Sequence, residues 1–266
     1  MMRENERSAV VTTARKWNDQ TIALARGTAA KLGLAYVPRQ RLSIEEVRER
    51  WHTDMVLVAK RDMLVLETPA GELFFHPNMA HLRLKNIRKG DGDRMAEAMD
   101  LRPGMSVLDC TLGFGADSIV ASFVVGPEGC VTGIESQPLV EAVVSCGLHH
   151  FSGDTVCIRE AMRRIRTVCD DSLHYLKNQP DRSVDIVYFD PMFRHPLMDS
   201  TSLDPLRTVA NHHALTPEHI AEARRVARRR VVFKETSRSM EFSRLGFTKI
   251  EGGRYSKVHY GVMILD

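Results

Sequence analysis

Between Ser106 and Lys234, short apolar runs alternate with segments of helical spacing, and this alternation constrains the fold more than any other feature of the chain. Ser106 to Cys110, Val131 to Glu135, Ile165 to Cys169, Val184 to Phe189 and Arg230 to Lys234 read as strands. Asp117 to Val125, Pro138 to His149 and Ser172 to Lys177 read as the helices between them. A strand followed by a crossover helix returns parallel to itself, so the expected core is a mostly parallel sheet covered on both faces. Uniformly apolar stretches such as Ile186 to Phe189 fit such doubly covered strands. Phe247 to Glu251 and Val258 to Leu265, separated by Gly252 and Gly253, add an antiparallel C-terminal hairpin. The expected class is α/β.

The first part of the chain follows another pattern. Ser8 to Thr13 reads as a strand, and Arg15 to Leu34 has the apolar spacing of a helix. Met55 to Ala59 and Met63 to Glu67 flank Lys60, Arg61 and Asp62 as a hairpin, and a turn at Pro69 to Gly71 leads into Leu73, Phe74 and Phe75. The expected division is a small α+β domain over residues 1–94 and the α/β domain over 95–266.

Composition removes several classes. With 43% hydrophobic and 27% charged residues the chain has the balance of a folded globular protein. It contains no run of 18 apolar residues, and its start, MMRENERSAVVTT, lacks a signal-like apolar segment, so a cytoplasmic chain without membrane contact is expected. The five cysteines are odd in number and lack CxxC spacing, which argues against a disulfide framework and against a metal site. Net charge is only +3, but basic residues group at Lys85, Arg88 and Lys89, at Arg163, Arg164 and Arg166, and at Arg224, Arg225 and Arg228 to Arg230. Any one group reads first as a solvated face; together they keep a phosphate-rich partner in view.

The first strand of the α/β part runs into Asp109-Cys-Thr-Leu-Gly113-Phe-Gly115-Ala-Asp117 and then a helix. Glycines in such a turn let the backbone approach a ligand closely. Glu135 ends the next strand, twenty residues after Gly115, where a carboxylate suits the two hydroxyls of a ribose. Either a nicotinamide dinucleotide or S-adenosylmethionine carries such a ribose. The dinucleotide turn calls for a third glycine, and Ser118 stands there. Asp117 would repel a pyrophosphate at the helix start but suits the cationic amino group of a methionine moiety. The electrostatics favour S-adenosylmethionine.

Asp171 and Ser172 open the helix after the third strand, where they serve as caps and lie in reach of an adenine amine. The fourth strand ends in Asp190-Pro191-Met192-Phe193. An exocyclic amine on a base is a weak nucleophile because its lone pair is delocalised into the ring. A carboxylate and a backbone carbonyl that accept its two N–H groups favour the geometry of attack, and an aromatic ring stacks on the base.

On these residues the chain resembles a class I S-adenosylmethionine-dependent methyltransferase. More narrowly, it is similar to the bacterial 16S ribosomal RNA guanine-N2 methyltransferases, whose motifs read DATAGLGRD and DPMFP. DCTLGFGAD at Asp109 to Asp117, IES at Ile134 to Ser136, DSL at Asp171 to Leu173, DPMF at Asp190 to Phe193 and RVVFK at Arg230 to Lys234 carry the resemblance. Ala116 and Arg194 depart from it. The resemblance implies a Rossmann-like methyltransferase sheet. It implies cofactor contacts from Asp109, Thr111, Gly113, Gly115, Asp117, Glu135, Ser136, Asp171, Ser172 and Asp190, and catalysis by Asp190, Pro191 and Phe193. It also implies a structured RNA partner, 16S rRNA or the small ribosomal subunit. The rival readings are methylation of DNA or of a small-molecule amine, and a cofactor-binding module without catalysis.

Overall fold

The computed structural model describes residues 9–153, 155–191 and 214–265. Phe193, expected to stack on the base, lies outside them. The contacts group these residues into two units.

The first unit takes residues 9–76 and 138–152. Its five-stranded sheet has the order β2-β1-β3-β4-β5, built from β1 (Ala9–Thr13), β2 (Ala35–Tyr36), β3 (Met55–Lys60), β4 (Met63–Thr68) and β5 (Gly71–Phe74). β1 is parallel to β2 and β3; β3, β4 and β5 form an antiparallel meander. Helix α1 (Asp19–Leu32) begins at Asn18, whose side chain accepts the Thr21 amide while the Thr21 hydroxyl accepts the Asn18 amide. It ends at Gly33 in the left-handed conformation. The expected strand, helix and hairpin are all present. Sequence reading passed over α2 (Ile44–Trp51), an eight-residue helix set by a Ser43–Glu46 capping box; Val47 and Ile44 from it pack with Val10, Val37, Val56 and Val58. Helix α6 (Pro138–His150) belongs to this unit because Gly147 lies against Phe75. A Cβ at Gly147 would come within 2.2 Å of that ring.

The second unit holds a seven-stranded sheet of order β11-β12-β10-β9-β6-β7-β8. Its strands are β6 (Ser106–Asp109), β7 (Cys130–Glu135), β8 (Ile165–Cys169), β9 (Val184–Phe189), β10 (Ala227–Thr236), β11 (Lys249–Glu251) and β12 (Val258–Ile264). From β8 to β10 all pairings are parallel. The C-terminal hairpin is antiparallel as expected, but β12 inserts between β10 and β11, so β11 forms the edge. Ile134, Val187, Phe189, Val231 and Phe233 from the strands pack with Ile220, Ala223 and Val226 of α9 (Pro217–Val226). Phe233 meets Phe242 of α10 (Glu241–Arg244) edge to face at 5.5 Å. Helices α3 (Asn78–Arg88), α4 (Arg94–Met99), α5 (Ala116–Val125), α7 (Val156–Arg163) and α8 (Ser172–Lys177) complete this unit. α3 precedes the division expected at residue 94, yet it groups here through its Arg83, which the side chains of Asp93 and Asp117 hold.

Candidate active site

β6 has β7 on one side and β9 on the other, and strand order runs outward in opposite directions from there. Such a switch point opens a crevice at the carboxyl ends of the strands. Asp109, Glu135 and Asp190 stand at the ends of β6, β7 and β9, and Asp171 follows β8.

The turn after β6 is held from below. Gly113 and Gly115 have φ of 48° and 74°, a region that costs other residues strain, and Gly115 is the N-cap of α5. The Leu112 amide donates to the Ile134 carbonyl. A Cβ at Gly133 would come 2.5 Å from the Leu112 side chain, so the turn can settle on β7 only because residue 133 has none. Sequence reading did not single out Gly133. Its signal was a glycine inside a strand, which marks a close approach.

Asp109 is buried. Its Oδ1 accepts the Thr111 amide at 3.0 Å and its Oδ2 accepts the Ser118 hydroxyl at 2.6 Å. Burial pushes its pKa up to about 6 against these hydrogen bonds. Ser118, in the place of a third glycine, therefore ties the helix start to the strand end. The Thr111 hydroxyl oxygen accepts the Asp190 amide at 2.6 Å and so joins the β6 turn to the end of β9. Glu135 accepts the Gly113 amide through Oε2 at 3.2 Å and the Gln137 amide through Oε1 at 2.9 Å. Ser136 follows it, half-buried. Asp171 caps α8 by accepting the His174 amide, and Ser172 is the first residue of that helix.

The densest electrostatic feature is one that the sequence showed only in part. Arg83 of α3 grips Asp93 with Nε and Nη2 at 2.7 and 2.9 Å and reaches Asp117 Oδ1 with Nη1. Asp117 Oδ2 accepts the Tyr188 hydroxyl at 2.7 Å and the Lys234 ammonium at 3.0 Å. Lys234 also donates to Asp190 Oδ2 at 2.6 Å. Two cations thus face three carboxylates. Burial alone would raise the Asp117 pKa, but Lys234 and Arg83 together hold it below the usual carboxylate range. The remaining negative charge falls on Asp190. Burial and the Asp117 charge outweigh Lys234 there and push its pKa up to about 7. Lys234 itself is held charged: burial opposes this, and both carboxylates overcome it. Both oxygens of Asp117, expected to meet a ligand's amino group, are engaged by the protein's own side chains.

The basic groups separate in the fold. Arg225 donates to the carbonyls of Leu176 and Gln179 and pairs with Asp181 and Glu222. Arg228 pairs with Asp185, and Arg230 with Asp100 and the Ala98 carbonyl. These arginines stand before β10 or within its first four residues, the half of that strand away from Lys234. They hold the fold together. Lys85, Arg88 and Lys89 lie exposed at the end of α3. Among the described residues no group of three or more His, Cys, Asp or Glu is placed to hold a metal ion, and no helix is long and apolar enough to cross a membrane.

Comparison with known proteins decides what this crevice belongs to. Residues 40–245 match the model of the SAM-dependent methyltransferase family SAM_MT, where SAM is S-adenosylmethionine. The chain belongs to that family. The Bacillus subtilis protein YpiP, named as uncharacterized, is 37% identical over 96% of this chain and 98% of its own length. Ribosomal RNA small subunit methyltransferase J of Pseudomonas syringae pv. tomato is 30% identical over 60% of each chain. The methyltransferase J of Hydrogenovibrio crunogenus is 32% identical over 56% of each. The SAM-dependent methyltransferase NGO1261 of Neisseria gonorrhoeae has the same fold, with a TM-score of 0.65 and 17% identity over 96% of this chain and 95% of that one. S-adenosylmethionine is the cofactor of this methyltransferase. The donor set suits it. Glu135 stands at the end of β7 against the glycine turn, where a carboxylate suits the hydroxyls of a ribose.

Proposed function

We propose that this methyltransferase acts on an exocyclic amine of a nucleobase, guanine N2 in 16S ribosomal RNA. The observation that carries this reading is the state of Asp190: a carboxylate at a strand end in the crevice, held by Lys234, on a backbone whose amide donates to the Thr111 hydroxyl, with its pKa pushed up to about 7. The partial similarity to the methyltransferase J proteins supports the RNA substrate.

When bound, S-adenosylmethionine supplies a methyl group already activated by its sulfonium. Glu135 would hold the ribose hydroxyls, Asp171 and Ser172 the adenine edge, and Gly113 and Gly115 the close backbone approach. The ionised Asp190 carboxylate accepts one amine N–H, and the Pro191 carbonyl accepts the other. Phe193 stacks on the base. The chain contributes chiefly position, because an activated donor needs only in-line approach. With its pKa pushed up to about 7, Asp190 would also be able to take the proton the amine sheds on gaining the methyl group and pass it to water, the electron pair of the broken S–CH3 bond staying on the donor's sulfur. A base within a duplex has to be flipped out to reach this site.

Asp190→Ala tests the reading. It should abolish methyl transfer to small-subunit RNA while S-adenosylmethionine affinity by calorimetry falls far less, because Glu135, Asp171 and Ser172 carry most of the cofactor contacts and the lost amine contact matters most in the transition state. Full activity in this variant would remove Asp190 from the mechanism.

A further inference from the structure

The turn between β11 and β12, residues 252–257, reads Gly-Gly-Arg-Tyr-Ser-Lys. Register fixes where it stands. Thr236, the last residue of β10, pairs with Val258, the first of β12, so the turn emerges at the strand end nearest Lys234. Two glycines shape its entry. A Cβ at Gly252 would come 2.1 Å from the His259 ring, and one at Gly253 would come 2.3 Å from the Arg94 guanidinium. The backbone is pressed onto these side chains and the next residues project outward. Tyr255 is 90% exposed, so no packing accounts for an aromatic there. The Arg254 guanidinium lies 5.7 Å from the centroid of its ring. The loop after β10 is tied to this turn by the Ser237 amide, which donates to the Lys257 carbonyl at 3.0 Å. That loop presents Arg238, exposed, and Met240, 78% exposed. Behind the turn lies a cavity of about 250 Å³ lined by Arg94, Glu97, Glu251, Gly252, Gly253 and Tyr260. Glu251 is paired with Lys249 at 2.7 Å, which reduces the acidic character of this rim.

We infer that this rim is the docking surface for single-stranded RNA beside the target base. Tyr255 stacks on an unpaired flanking base, Arg254 and Arg238 hold the phosphates on either side, and the cavity receives a neighbouring nucleotide. A single strand fits because a base offers its face to an aromatic ring only when it has left a stack, and stacking tolerates any base. A rigid duplex would use the cations and leave Tyr255 idle. The inference rests on the nucleobase reading of the Asp190 site and names how its substrate is held.

The test uses the full-length protein and a fluorescein-labelled single-stranded oligoribonucleotide followed by anisotropy, with methyl transfer to small-subunit RNA measured in parallel. Tyr255→Ala should weaken RNA binding about tenfold, within the range of a lost stacking contact, and Tyr255→Phe should restore it. Arg238→Ala and Arg254→Ala should each lower the slope of log affinity against log salt by about 0.7. S-adenosylmethionine affinity by calorimetry should be unchanged in all four variants. Wild-type RNA affinity in Tyr255→Ala, loss of cofactor affinity alongside RNA affinity, or no RNA binding by the wild type would each overturn the inference. If the wild type methylates RNA and Tyr255→Ala does so with unchanged KM, only the docking surface falls. If Tyr255→Ala loses RNA binding and the wild type methylates no base, the docking surface stands and the Asp190 reading falls.

Discussion

The Lys234 ammonium lies 2.6 Å from Asp190 Oδ2 and holds that carboxylate at the end of β9. The same ammonium is anchored from behind by Asp117, which Arg83 and Tyr188 fix in turn. A strand-end carboxylate is thereby given one position, and burial and the Asp117 charge push its pKa up to about 7.

Lys234→Met should separate these two roles. Without the cation, Asp117 and Asp190 repel each other and both pKa values rise. The acid limb of the turnover profile, expected near pH 7 for wild type with activity rising as pH rises through it, should move upward by at least one unit. Removing one partner of a largely buried pair should also cost about 3 kcal/mol of stability. A pH–rate series alongside urea unfolding measures both; an unmoved limb would dissociate Lys234 from Asp190.

Asp109 makes a prediction about stability. Its folded pKa of about 6 lies above its usual value of 3.8, so its contribution is fully present below pH 4 and is lost as pH rises through 6. A shift of that size corresponds to about 3 kcal/mol. Asp93 and Asp117 have lowered pKa values, so their contributions are present above pH 4 and are lost only in stronger acid. Asp109→Asn keeps an acceptor for the Thr111 amide and a partner for Ser118. Its unfolding free energy should therefore fall less than that of wild type between pH 4.5 and pH 8, as read from urea melts at both.

Gly133→Ala tests the seat of the glycine turn. The added methyl meets the Leu112 side chain 2.5 Å away, beneath Gly113. Overpacking of this kind costs about 1–3 kcal/mol. Because Leu112 carries the turn, S-adenosylmethionine affinity by calorimetry should fall together with the melting temperature. A variant that lost stability but kept cofactor affinity would show the turn to be independent of β7.

The strands of the second sheet were legible because their apolar runs are long and bounded by turns, and their ends could be placed to within a few residues. The strand order was not legible in its last step. A two-strand run with Gly252 and Gly253 between reads as a hairpin, and nothing local says that β12 lies inside β11. Short elements such as α2 and α4 escaped because one or two turns carry too little periodicity; the Ser43–Glu46 box and the Asp93 cap were their only signals. At the site, Asp109, Thr111, Glu135 and Asp190 stood out because strand ends adjoin turns in the sequence. Arg83 did not. Its partner Asp117 lies 34 residues away, and an arginine on an amphipathic helix reads as solvated. The arginine block before and within β10 misled for the same reason in reverse, since its carboxylates and carbonyls come from distant segments.

Transfer of a labelled methyl group from S-adenosylmethionine to small-subunit ribosomal RNA, followed by digestion to nucleosides and mass analysis, shows which atom this methyltransferase modifies. The account predicts label in N2-methylguanosine with wild-type protein and none with Asp190→Ala. Label on a ring nitrogen, on a ribose oxygen or on no nucleoside at all would contradict it.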